Sequence, residues 1–349
     1  MQNHRRETVA LELRDLSKTY GRGAKAKRAV SDVTLSVRCG EVYGFLGPNG
    51  AGKSSTIRMA LGLIRPTSGE VRLFGSQVTD RDALGRVGSL VDGGTFYPFL
   101  SGRDNLRVLA RTRGIDGKRI EEVLERVDLT RDAKRKFKSY STGMKQRLGV
   151  AAALLDDPDL VILDEPANGL DAAGIQDMRK LIRALADEGK AVFLCSHLLH
   201  EVQQVCDRLA IVSKGRLIRE AGTAELLGTS LRLAIEARPM DAALKVLEAR
   251  QPIEAPSGQV MVEGTREEAP TIVRDLVAAG VDVFGIAAEE QNLEKVFLEM
   301  TSDPDAGRRS RRSAENAPPP GHLSDGVDLS DRHFPDRSGE PHLLPIRTG

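Results

Sequence analysis

The sequence predicts an α/β chain followed by a smaller α+β unit, and three observations carry that prediction. Short apolar runs alternate with helix-forming stretches from about residue 8 to 228. After about Leu231 the order changes to strand, helix, strand, helix, strand, helix. A glycine-rich loop, GFLGPNGAGKSSTI at 44–57, sits between an apolar run and a helical one.

VALEL (9–13) and AVSDVTLSV (29–37) alternate with period 2 and read as strands, with GRGAKAKRA as a solvated loop between them. VYGFLG enters the glycine-rich loop as a strand, STIRMALGL leaves it as a helix, and EVRLFG (70–75) is a further strand. Residues 106–127 are mostly helical but interrupted by RGIDGK. LVIL (160–163), AVFLCS (191–196) and RLAIVSKGRLI (208–218) are strands. AAGIQDMRKLIRALADEG is an amphipathic helix with Ile175, Met178, Ile182 and Leu185 on one face. Beyond it, LRLAIEA, MDAALKVLEA, QVMVEG, APTIVRDLVAAG, VDVFGIA and NLEKVFLEM suggest a split βαβ, ferredoxin-like unit. After Thr301 the chain becomes rich in Pro, Ser, Arg and Asp, so residues 302–349 are expected to be a disordered tail. The expected divisions are therefore 1–228, 229–301 and 302–349.

Composition narrows the function. The chain has 349 residues, with 51 Lys plus Arg against 50 Asp plus Glu and a formal net charge of +1, so no bulk basic character argues for wrapping nucleic acid. Cys39, Cys195 and Cys206 lack metal-binding spacing, and the last two lie in apolar contexts expected to bury reduced thiols. No apolar run approaches the roughly 20 residues of a membrane span, and MQNHRRETVA lacks a signal-peptide core. A soluble, cytoplasmic chain is the expectation.

The chemistry lies in short motifs. Gly47, Pro48, Asn49, Gly50, Ala51, Gly52, Lys53 and Ser54 fit G-x-x-x-x-G-K-[ST], with a second hydroxyl at Ser55. Missing Cβ atoms let backbone N–H groups wrap a phosphate, and the following helix turns its positive end toward the anion. Lys53 would reach the outer phosphates and Ser54 would hold a magnesium ion. LVILDEP (160–166) ends an apolar strand in two carboxylates at the edge where α/β ligands bind. Asp164 is the candidate to steady magnesium, and Glu165 to polarise an attacking water. SYSTGMKQRLGVAAALL (139–155) opens a helix on the small residues Ser141, Thr142 and Gly143.

These segments, with ANGLD (167–171) and SH (196–197), resemble the ATP-binding cassette family over roughly residues 8–228. The matching parts there are the Walker A loop, the signature, Walker B, the D-loop and the H-loop. The resemblance implies a P-loop cassette with a RecA-like core, an antiparallel β subdomain and a helical signature subdomain. The C-terminal part is similar to the extra domain of drug-export cassettes of the daunorubicin-resistance type. By resemblance, Tyr20 would stack on adenine, although a core tyrosine is an alternative. Ser141 and Gly143 would close on the γ-phosphate held by a second subunit, Asp171 would serve communication across the dimer, and His197 would hydrogen-bond the γ-phosphate. Activity would be ATP hydrolysis with ATP and Mg2+ in two composite sites of a homodimer. That dimer would dock on a separate permease at the inner face of the cell membrane, with no nucleic-acid partner.

Two positions depart from the family pattern. The signature reads Tyr140-Ser141-Thr142-Gly143-Met144 in place of LSGGQ, and Asp92 stands where the Q-loop usually offers glutamine. Some bacitracin- and lantibiotic-type exporters carry glutamate there, so Asp92 is expected near magnesium. A translation or repair ATPase is a competing reading, but a second P-loop, heptads and a Cys-x-x-Cys are all missing from the sequence. A non-hydrolysing scaffold is disfavoured by Glu165 and His197. The cargo is expected to be a drug, antibiotic or other amphipathic compound, on family grounds alone.

Overall fold

The computed structural model describes residues 8–91, 96–227, 232–255 and 258–289. Asp92, the anticipated helix NLEKVFLEM and the anticipated tail lie outside the described residues.

The chain opens with β1 (Val9–Tyr20) and β2 (Lys27–Arg38), a long antiparallel pair. β1 runs well past the five residues that alternation predicts. Asp15 adopts φ 47° and the pairing shifts register between Leu13 and Leu16, so a bulge returns Leu16 to the buried face. β3 (Val42–Leu46) leads through the glycine-rich loop into α1 (Lys53–Ala60). β4 (Ser68–Leu73) and β5 (Ser76–Gln77) complete an antiparallel sheet of order β2-β1-β4-β5.

After α2 (Arg81–Gly85) and β6 (Val87–Leu90) comes a helical arm of α3 (Gly102–Arg113), α4 (Gly117–Arg126) and α5 (Thr142–Ala153). The RGIDGK break is a stop and a start. Gly114, at φ 71°, ends α3, and the Asp116 carboxylate caps α4 by accepting the Lys118 N–H at 3.0 Å. The chain continues with β7 (Leu160–Asp164), α6 (Ala172–Asp187), β8 (Ala191–Ser196), α7 (Leu199–Val205), β9 (Arg208–Ser213), β10 (Arg216–Gly222) and α8 (Thr223–Leu227).

The central sheet has the order β10-β9-β3-β8-β7-β6, parallel except for the β9–β10 hairpin. Its strands feed two cores by period-2 alternation. Val42, Leu163, Leu194 and Ile211 face the side of the helical arm, whereas Tyr43, Ile162, Phe193 and Val212 face the antiparallel sheet. α6 buries Met178, Ile182 and Leu185 as expected, with Ile175 only partly covered.

A third core belongs to β11 (Arg232–Arg238), α9 (Met240–Val246), β12 (Ile253–Glu254), β13 (Val260–Glu263), α10 (Ala269–Ala278) and β14 (Asp282–Glu289). The sheet order β12-β13-β11-β14, wholly antiparallel, is that of the split βαβ unit. The two-residue β12 is the strand that pattern reading misses. Among the described residues, no helix is long and apolar enough to cross a membrane.

Candidate functional site

The site lies where β3, β7 and β8 end. Leaving β3, the loop packs so closely that a Cβ on Gly47 would lie 2.4 Å from the Val212 carbonyl oxygen, and one on Gly52 2.4 Å from that of Ala29. Gly52 also holds φ 101°, a conformation an L-residue adopts only under strain. These two glycines therefore seat the loop against the neighbouring strands, while Gly50, at φ 81°, turns in open space.

A cleft of about 610 Å³ opens over the loop. Pro48, Asn49, Gly50, Gly52, Lys53, Ser54 and Ser55 line one side, and Asp164 with Glu165 lines another. Gly47 and Ala51 are buried beneath it. Tyr20, 42% exposed, stands at the rim with its hydroxyl 3.2 Å from Ser55 Oγ and the Lys18 ammonium 5.3 Å from its ring centroid, so it is not a core tyrosine.

Lys53 is buried, and its ammonium donates to the Gly47 carbonyl at 2.7 Å. It also lies 3.7 Å from Glu165 Oε1. The other Glu165 oxygen, Oε2, is 2.7 Å from His197 Nδ1 and accepts the His197 backbone N–H at 3.3 Å. The carboxylate is thus held between a cation and an imidazole drawn from two different strand ends. Glu165 itself adopts φ 50°, with its N–H donating to the Cys195 carbonyl at 2.9 Å. A non-glycine residue in this region costs of order 1 kcal/mol, a strain typical of positions where side-chain aim matters more than comfort. Behind Asp164, burial pushes the Cys195 thiol well above its ordinary range, with the Asp164 charge adding to the effect. That thiol stays protonated and takes no part as a nucleophile.

Ser141, Gly143 and Asp171 lie elsewhere on the same subunit, outside the residues lining the cleft. Ser141 caps α5 by accepting the Met144 N–H at 3.3 Å, and Asp171 caps α6 by accepting the Gly174 N–H at 2.8 Å. The two helix starts pack together. A Cβ on Gly143 would touch Leu170 at 3.3 Å, and one on Gly169 would lie 3.0 Å from Thr142.

Sequence reading missed the cationic wall of the cleft. Lys27 and Arg28, from the supposedly solvated loop, and Lys214, in the β9–β10 turn, all line it. Lys214 sits at φ 49° before Gly215. The only signal was local basicity; no spacing rule connects residues that meet through sheet packing.

The donor set suits a phosphate chain with a hydrated divalent cation. The Ser54 hydroxyl and Asp164 carboxylate share the cleft with Lys53. Among the described residues, no group of three or more His, Cys, Asp or Glu could hold a metal by itself. Magnesium binding of this type draws its remaining ligands from substrate phosphates and water.

The chain is similar to known proteins over most of its length. Residues 30–168 match the family model described as ABC transporter. The ABC transporter ATP-binding protein YdbJ of Bacillus subtilis is 40% identical over 297 residues, covering 84% of this chain and 95% of that protein. The bacitracin transport ATP-binding protein BcrA of Bacillus licheniformis is 38% identical, covering 84% and 97%. Both alignments exceed the cassette and reach into the C-terminal sheet. The lantibiotic transport ATP-binding protein SrtF of Streptococcus pyogenes is 38% identical over 60% of this chain and 90% of its own. Among solved structures, the dimeric post-hydrolysis state of the ATP-binding cassette MJ0796 with ADP and Pi matches 61% of this chain and 99% of that one. Its TM-score is 0.56 and its identity 27%.

Proposed function

This chain belongs to the ABC transporter ATP-binding proteins, and we propose that it hydrolyses ATP as one of two identical cassettes driving a separate export permease. The observation that carries the residue assignment is the Lys53–Glu165–His197 chain of contacts above the glycine-rich loop.

Lys53 offsets negative charge on the outer phosphates, and the loop N–H groups hold them in place. Ser54 and Asp164 would hold magnesium, which supplies a Lewis acid for the phosphate oxygens. Glu165 accepts a proton from the attacking water. His197, bonded to Glu165, orients that carboxylate and stands beside the γ-phosphate position. Tyr20 offers its exposed ring to adenine. Ser141, Gly143 and Asp171 lie off the subunit's own cleft, which accords with a role at the nucleotide of a second subunit. Asp92 retains its proposed place near magnesium and the permease surface, where it would affect coupling more than hydrolysis.

The similarity to bacitracin and lantibiotic transport proteins supports an amphipathic antibiotic or related compound as cargo. The cassettes would sit at the cytoplasmic face of the membrane, held there by the permease. Residues 229–301 would form an accessory domain, and 302–349 would be dispensable for hydrolysis.

Glu165→Gln tests the central assignment. ATP binding should persist, turnover should fall by at least about 100-fold, and an ATP-dependent dimer should accumulate on gel filtration. Turnover at the wild-type rate would remove Glu165 from the mechanism.

A further inference from the structure

Apolar packing holds the helical arm to the core, since Leu148 and Val150 of α5 share one cluster with Met178 and Ile182 of α6. Such packing is non-directional. At one end it gives way to a cavity of about 420 Å³ floored by Met178, Leu181 and Ala184. Two polar bridges span this gap. Arg126, at the end of α4, pairs with Glu188, just past α6.

The second bridge is Arg147. Its Nη1 donates to the Val127 carbonyl at 3.3 Å and to Asp128 Oδ2 at 3.2 Å, both at the C-terminal end of α4. Its Nη2 donates to Asp177 Oδ2 on α6 at 2.8 Å. A planar guanidinium with acceptors on two sides fixes direction as well as distance.

We infer that Arg147 is a positioning residue that locks the signature helix to the D-loop helix, so that Ser141, Gly143 and Asp171 meet the partner subunit's nucleotide as one rigid body. Arg147 lies six residues after the Ser141 cap of α5, and Asp177 six residues after the Asp171 cap of α6. The bridge therefore ties both helices at equal depth behind the ends that pack through Gly143 and Leu170. Without it those starts still touch, but the arm can swing about that contact. The inference rests on the composite-site reading proposed above.

The test uses the full-length chain in the Glu165→Gln background, following ATP-dependent dimerisation across protein concentrations by light scattering. Arg147→Met should raise the concentration for half-dimerisation about tenfold, and Asp177→Ala somewhat less. The double variant should match Arg147→Met alone, because the two substitutions break one bridge. Arg147→Lys should recover little, since one ammonium cannot serve both sides. Binding of a fluorescent ATP analogue to the dilute single subunit should stay within about twofold throughout, which shows that each variant folds. Additive effects in the double variant, or a lowered Tm with unchanged dimerisation, would overturn the clamp. If the Glu165→Gln parent does not dimerise with ATP, the composite-site reading fails and takes the clamp with it. If the parent dimerises and Ser141→Ala prevents it, that reading stands and only the clamp is on trial.

Discussion

Where the parallel strands of the central sheet begin, charges are matched in short closed chains. Arg86 pairs with Asp159 at 2.8 Å, Lys190 with Asp157 at 2.8 Å, and Arg183 with Asp207 at 2.9 Å. Arg208 lies between Glu41 at 3.1 Å and Glu220 at 2.6 Å, and Glu220 also accepts the hydroxyl of the buried Tyr43 at 2.8 Å. That closed network pushes the Tyr43 hydroxyl far above its ordinary pKa, chiefly by burial and then by the Glu220 charge. Where the same strands end, the pattern reverses. Lys53 relies on a backbone carbonyl and a carboxylate 3.7 Å away, Glu165 sits in a strained turn, and Ser54 is exposed. One end satisfies its polar groups within the fold, and the other holds them at the mouth of a cleft. Stability and chemistry are thereby separated along the length of single strands.

Substitutions at the two ends should therefore fail differently. The largest effect is expected from Lys53→Met. ATP turnover should drop on the order of 10²–10³-fold, as for loss of one preorganised charge donor, with little change in Tm. A large fall in Tm would mean that Lys53 also holds the fold. Arg208→Met should do the opposite. It leaves two half-buried carboxylates without their shared cation, at a cost of about 2 kcal/mol after allowing for partial exposure. Denaturant unfolding should show that loss, while KM for ATP in the folded protein stays unchanged.

The smallest effect belongs to Asp157. The Lys190 ammonium, hydrogen-bonded to it, holds this carboxyl below its usual range. The folded group is then harder to protonate than the unfolded one. Its contribution is present above about pH 4 and is lost as pH falls through the lower folded value. Asp157→Asn should lower stability slightly and evenly above about pH 4, with the difference from the parent closing as pH falls through the lower folded value. An equal shift at all pH values would show that its effect is not ionic.

The catalytic end was far more legible in the sequence than the other. Gly52, Lys53, Asp164 and Glu165 lie in contiguous runs, and their chemistry needs only the strand they follow. Ser141 was legible as the start of a capped helix, whereas the cap that Asp171 makes on α6 was not read. Arg208, Glu41, Glu220 and Tyr43 were invisible, because the start of β3 and the β9–β10 hairpin, far apart in sequence, bring them together. Lys27, Arg28 and Lys214 escaped for the same reason. The second half of β1 was hidden by its bulge, which breaks the alternation on which strand reading depends. The C-terminal topology could be read because each helix and all but one strand carries its own period.

The 2.7 Å contact between Glu165 Oε2 and His197 Nδ1 has a bearing on the very substitution used to trap the ATP state. A carboxylate only accepts, so the shared proton resides on Nδ1 and a neutral ring leaves Nε2 bare. In that tautomer His197 can donate to a phosphate oxygen only after gaining a second proton. A glutamine at 165 can instead present its amide N–H to Nδ1, which moves the ring's single proton to Nε2 without any charge. Glu165→Gln would then do two things at once, removing the proton acceptor and converting His197 into a neutral phosphate donor. A dimer trapped this way should hold ATP more tightly than the native pair does, and its affinity describes the altered tautomer.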